Sequence, residues 1–236
     1  MVSAATKRSA GADPTHYPVD DAMGESILHK LIVELLRPLV ERWLDERAAP
    51  TFVGANQFIY WVQHEPTRSV APDLYVLPGV PRDAPVKAWK VWETGLVPSF
   101  ALEIVSNDVE KDYWLSPARY ADLGILELVV FDPESSSSPE RVRWQVFRKS
   151  AGGLVLEERT DSESVRSTEL GCWLRSVGNG PSVRIRLCTG ARGEILVATE
   201  AEAERAAREA EEVRRAEAEA EVARLRAELA RLHGGR

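Results

Sequence analysis

The sequence predicts an α/β protein: a mixed β-sheet flanked by helices, followed by a long charged C-terminal helix. Three observations carry that expectation. Strand-like apolar runs at 71–77, 100–106 and 126–131 enclose a helical stretch at 108–123. Strand, helix, strand in this order imply a crossover and a partly parallel sheet. Residues 27–43 place apolar side chains at three- and four-residue steps, the mark of an amphipathic helix. From 199 to 233 the composition turns to Ala, Glu and Arg, with Gly and Pro absent until Gly234, which suits a solvent-laced helix.

A chain of 236 residues with 44% hydrophobic content can bury one sizeable core and still carry an appendage. Its formal charge of -7 argues against a surface that coats nucleic acid constitutively. It leaves room for an enzyme that meets phosphate through a bound cation and a few local bases. Cys172 and Cys188 form no C-x-x-C pattern, so buried free thiols in a reducing cytoplasm are expected. No apolar run reaches membrane-spanning length. The chain divides by composition into a disordered N-terminus at 1–16, a domain at 17–198 and a helical tail at 199–236.

Taken in order, Ile27, Leu28, Leu31, Ile32, Leu35, Leu36, Leu39, Val40 and Trp43 form the stripe of the first helix, which Pro38 should kink or split. His29 on that stripe reads as a packing residue. Residues 51–63 read as one or two strands broken at Gly54-Ala55-Asn56. The excursion at 80–98 holds Trp89 and Trp92, which either pack as a lid or meet a ligand. Asn107 or Asp108 is placed to cap the helix at 108–123, Pro117 disturbs its middle and Gly124 ends it. Antiparallel strands are expected at 142–149, 154–159 and 183–187, with a polar loop through Leu170, Gly171, Cys172 and Trp173 between the last two.

Two carboxylates break the pattern. Ala71-Pro72-Asp73-Leu74-Tyr75-Val76-Leu77 and Phe100-Ala101-Leu102-Glu103-Ile104-Val105-Ser106 each set one acid among apolar neighbours. A buried charge must be paired or coordinate a metal. One reading makes Asp73 and Glu103 a cation site; the other solvates each at a strand end or pairs it with Arg or Lys. Glu25 and Glu34 are candidate third carboxylates. If the strands are neighbours, Asp73, Glu103 and the main-chain carbonyl of Ile104 supply the hard oxygen donors that Mg²⁺ or Mn²⁺ takes. Such a cation polarises a phosphodiester oxygen and activates a bound water, and a nearby Lys offsets the charge on phosphorus.

The motif order is Pro72-Asp73, then Glu103-Ile104-Val105-Ser106, then Tyr120-Ala121-Asp122-Leu123-Gly124, then Leu126-Glu127-Leu128-Val129-Val130-Phe131-Asp132-Pro133. It resembles the bacterial Uma-two type family of restriction-endonuclease-like proteins, a branch of the PD-(D/E)XK nuclease superfamily, over roughly residues 17–190. The resemblance implies a restriction-endonuclease-like core, Asp73 and Glu103 as metal ligands, and DNA as the substrate. It also exposes a departure. Where the superfamily carries Lys two residues after the Glu, this chain has Val105; where the family places it four residues before the Tyr, this chain has Ser116. Lys111 is the nearest substitute, with Asp112 and Tyr120 as neighbours. It either positions the attacking water or is a solvated helix charge.

Other chemistries lack their residues. There is no Gly-x-Ser-x-Gly elbow and no Walker loop. His16, His29, His64 and His233 lack zinc spacing. Arg141, Arg143, Arg148 and Lys149 form a basic strand that either meets phosphate or blocks edge aggregation. In the tail, Ala218, Val222, Leu225, Leu229 and Leu232 make a short heptad seam that supports a homodimer, against the alternative of a single charged helix. Two functions follow: a metal-dependent DNA endonuclease, or a catalytically weakened member of the same fold that binds or assembles through its tail.

Overall fold

The computed structural model describes residues 27–47, 50–106 and 108–233. Helix α1 (Ile27–Asp45) opens the described chain, followed by β1 (Thr51–Gly54), β2 (Ile59–Tyr60), β3 (Ser69–Val70), β4 (Leu74–Pro78) and β5 (Trp89–Lys90). A short α2 (Val91–Thr94) precedes β6 (Phe100–Ile104), and a π-helical turn at Lys111–Leu115 runs into α3 (Ser116–Leu123). Then come β7 (Glu127–Phe131), β8 (Trp144–Ser150), β9 (Gly153–Thr160), β10 (Ser164–Ser167), β11 (Cys172–Val177), β12 (Arg184–Thr189) and β13 (Ile195–Leu196), before α4 (Glu200–His233). The chain resolves into two compact units, one ending at Leu196 and one beginning at Val197.

The first unit is built on a six-stranded sheet in the order β1-β4-β6-β7-β8-β9. The central pair β6 and β7 is parallel and every other pair antiparallel. This is the mixed sheet that the strand-helix-strand order predicts. Its middle strands read Phe-Ala-Leu-Glu-Ile and Glu-Leu-Val-Val-Phe and are buried almost throughout, because neighbours cover both faces. Of the later strands expected, β8 and β9 extend this sheet as an antiparallel edge, whereas β12 and its neighbours do not. They form a separate four-stranded sheet, β10-β11-β12-β13. The expected loop through Leu170 holds the turn between two of its strands, and Cys172 and Trp173 begin β11. Both thiols lie buried and free, and desolvation pushes the Cys172 thiol up to about 12.

Helix α1 packs against β1 and β12. It runs unbroken through Pro38, whose ring and the i−4 residue Glu34 both face solvent, where water can serve the carbonyl that proline leaves unbonded. The stripe is narrower than the periodicity implies: Ile27 and Leu31 are exposed. Glu34 is also exposed and faces Lys30 at 4.0 Å, so it is no third ligand, while Glu25 lies outside the described residues. Trp89 is buried and donates to the Leu96 carbonyl at 2.9 Å, a packing role.

Gly54 stands opposite Tyr75 across the β1–β4 pair. A Cβ there would lie 2.2 Å from the Tyr75 ring, which is fully buried and donates its hydroxyl to Gln57 at 3.0 Å. Gly54→Ala is expected to cost about 1–3 kcal/mol by overpacking. Gly152→Ala, whose Cβ meets nothing within 4 Å, should stay within about 0.5 kcal/mol of wild type. Urea denaturation of the two variants decides it: equal midpoints would mean that the close approach of Tyr75 constrains nothing.

Candidate functional site

Register brings the two strand acids together. Leu74 of β4 pairs with Leu102 of β6, and one further step of the same antiparallel ladder sets Asp73 opposite Glu103. Residues so placed share a face of the sheet with their Cα atoms about 5 Å apart. Like charges in that arrangement repel. The entry to β4 is pinned from the other side: Asn56, in the left-handed conformation (φ 61) that Asn tolerates, donates its N–H to the Pro72 carbonyl at 2.8 Å. Asp73 then turns inward, and its Oδ2 accepts the Ile104 N–H at 2.6 Å.

Glu103 is half-buried. Desolvation raises its pKa well above the usual carboxylate range, and the charges of Asp73 and Asp112 raise it further. The Tyr120 hydroxyl, which donates to Glu103 Oε1, and the Lys111 ammonium act in the opposite sense. Burial and the Glu103 charge keep Tyr120 protonated, its own pKa lying well above the ordinary tyrosine value.

The helical stretch that supplies Lys111 is not regular. Asp108 accepts the Lys111 N–H at 3.2 Å, an N-terminal cap, while Asn107, the alternative cap, lies outside the described residues. The next turn is widened to π geometry, with the Ser116 N–H reaching back five residues to the Lys111 carbonyl. Pro117 follows at once, lacking the N–H that would bond Tyr113. The wide turn draws Lys111 toward the side of the helix that Ser116 occupies, one turn earlier. Single π turns of this kind recur at functional sites. Lys111 itself is exposed, whereas Ser116 is buried.

Two anchors hold this turn. Asp112 accepts both the Ser106 N–H and its hydroxyl at 2.7 Å. Tyr113 donates at 2.6 Å to the buried Asp132, which Arg141 grips with two nitrogens at 2.7 and 2.6 Å. Burial and that carboxylate push the Tyr113 hydroxyl up to about 12.

Sequence reasoning gave two neighbours of the site a lesser part than the structure does. Asp112 is bonded to Ser106, and its charge raises the Glu103 pKa; the signal for it was its place beside Lys111. His29 does more than pack. Its Nε2 donates to the Val105 carbonyl at 3.2 Å, and its Nδ1 lies 4.0 Å from Asp73 Oδ1. The basic strand, by contrast, is committed internally. Arg141 serves Asp132, and Arg148 bonds Glu127 at 3.0 Å and Glu157 at 2.6 Å. Arg143 bonds carbonyls of Asp161 and Ser162, and Lys149 that of Gly124.

The donor set suits a hard divalent cation. Asp73, Glu103 and the Ile104 carbonyl offer oxygen alone, and two repelling carboxylates gain most from a cation between them. No group of three or more His, Cys, Asp or Glu side chains among the described residues forms a metal cage. A full cage is not required by Mg²⁺, which keeps several of its waters. No described helix is long and apolar enough to cross a membrane.

No curated protein matches the chain. Among solved structures, one described as "a putative nuclease belonging to DUF820" from Anabaena variabilis aligns at 14% identity and a TM-score of 0.45, covering 62% of this chain and 75% of that one. The family model Uma2, described as "Putative restriction endonuclease", matches residues 21–176, about two thirds of the 236. That span holds Asp73, Glu103, Lys111 and Tyr120, and the chain belongs to the Uma2 family.

Proposed function

We propose that the protein is a metal-dependent endonuclease that hydrolyses DNA phosphodiester bonds with a water as nucleophile. The observation that carries this reading is the pair of acids that the register of β4 and β6 brings together, close enough for the Asp73 charge to raise the Glu103 pKa. Asp73, Glu103 and the Ile104 carbonyl would hold Mg²⁺ or Mn²⁺. That cation, when bound, supplies Lewis-acid polarisation of the phosphodiester and lowers the pKa of a bound water.

The protein's own groups do the rest. Tyr120 fixes one oxygen of Glu103, so the carboxylate does not rotate freely. The Ile104 N–H does the same for Asp73. Lys111 orients the water and offsets negative charge developing on the phosphoryl oxygens. The reading assigns catalysis to the domain at 17–198 and assembly of a homodimer to the tail at 199–236.

One observation favours a weakened enzyme that serves instead as a binding or assembly module. The family's lysine position is Ser116, which is buried, and its substitute stands in solvent. Supercoiled plasmid incubated with the protein and Mn²⁺ or Mg²⁺, with and without EDTA, separates the two. Nicked or linear product that disappears with EDTA is expected. Intact plasmid under every condition, from protein that remains folded, would leave only the module.

A further inference from the structure

We propose that α4 joins two copies of this chain as a parallel, in-register coiled coil over residues 214–233. The inference deepens the assembly reading above and rests on it. Ala218, Val222, Leu225, Leu229 and Leu232 recur at steps of four, three, four and three. That spacing puts Val222 and Leu229 at heptad position a, with Ala218, Leu225 and Leu232 at d. Val222, Leu225 and Leu229 are 45%, 47% and 55% exposed, a seam of apolar side chains on an otherwise charged helix. Upstream the frame meets Glu211 at d and Arg215 at a, so the seam ends there.

The flanking charges select both the occupant and its direction. The same frame sets Arg214, Glu221 and Glu228 at g, and Glu219, Arg226 and His233 at e. In a parallel pair each g residue faces the e residue five positions on in the other copy. Arg214 then meets the partner's Glu219, and Glu221 meets the partner's Arg226. Glu228 meets the partner's His233, an attraction once that imidazole is protonated.

An antiparallel pair sets g against g instead, and the register that keeps Val222 level with the other copy's Leu225 crowds Glu221 against the other copy's Glu228. Within one helix Glu219 is bonded to Arg215 at 2.9 Å and Glu221 to Arg224 at 2.7 Å. These are exposed pairs that contribute little and exchange easily. A concavity on α4 includes Arg215, Ala218, Glu219 and Val222 in its lining. Those are positions a, d, e and a, the set of four that receives a d-position side chain from a parallel neighbour.

A parallel coil brings both copies in from the same end, so their two catalytic domains share a high local concentration. That suits the cutting of both strands of one duplex.

Analytical ultracentrifugation of the full chain tests assembly, and oxidation of Val222→Cys tests direction. A dimer that a chain ending at Val197 cannot form is expected, and Val222→Cys should cross-link to a covalent dimer without reductant. Glu221→Arg should raise the dimer dissociation constant by about tenfold or more, and Glu221→Arg with Arg226→Glu should restore it. Far-ultraviolet circular dichroism confirms that each variant keeps its helix. A monomeric full chain, or a dimer that survives truncation, would overturn assembly through α4. A tail-dependent dimer in which the Val222→Cys variant does not cross-link would overturn the parallel register alone.

Discussion

Glu103→Gln is expected to lower plasmid cleavage by at least about 10³-fold, roughly 4 kcal/mol of transition-state stabilisation. The substitution keeps the shape and leaves Tyr120 a hydrogen-bond acceptor. It removes the charge that a cation would balance against Asp73. A second readout does not depend on turnover. Mn²⁺ should raise the melting temperature of the wild type, because a ligand that binds only the folded state stabilises it by mass action. The rise should vanish in Glu103→Gln. An equal rise in both proteins would place the cation elsewhere. Lys111→Met should cost less, about 10- to 100-fold, since an exposed ammonium is partly screened. Full activity in that variant would make Lys111 a bystander.

The largest loss of stability is expected from Asp132→Ala. The Asp132 side chain is fully buried and Arg141 is 13% exposed. Removing one partner strands the other charge, at a cost of about 3–5 kcal/mol. It also leaves the Tyr113 hydroxyl without its acceptor at 2.6 Å. Tyr113 sits in the π turn with Lys111, so cleavage by the fraction still folded should fall as well. Urea unfolding beside single-turnover cleavage measures both. A loss below about 1 kcal/mol would show that the pair is not buried in the way its geometry implies.

How much of this could be seen in the sequence depended on the range of the interaction. Asp73 and Glu103 stood out because continuous apolar runs leave a carboxylate nowhere to go. Their opposition did not, since it is a property of register. His29 approaches the site through tertiary packing, and the spacing of its own helix says nothing of it; Asp112 was marked only by its place beside Lys111. The bases at 141–149 read either as a phosphate surface or as a guard against edge aggregation because nothing in the sequence marks Glu127 and Asp132 as their partners. Those acids are 1% exposed and take the arginines as partners. Strands β10 and β11 escaped because short Ser- and Arg-bearing segments read as loop until the hydrogen-bond ladder pairs them.

The wide turn ahead of Pro117 has one more consequence. Fitting an extra residue into a single turn rotates everything on its N-terminal side by about 100° about the axis, relative to an unbroken α-helix. The helix thus behaves like a dial, and at this setting the Lys111 ammonium acts electrostatically on Glu103. Deleting one residue from the turn would leave Tyr120 in place and swing that ammonium away.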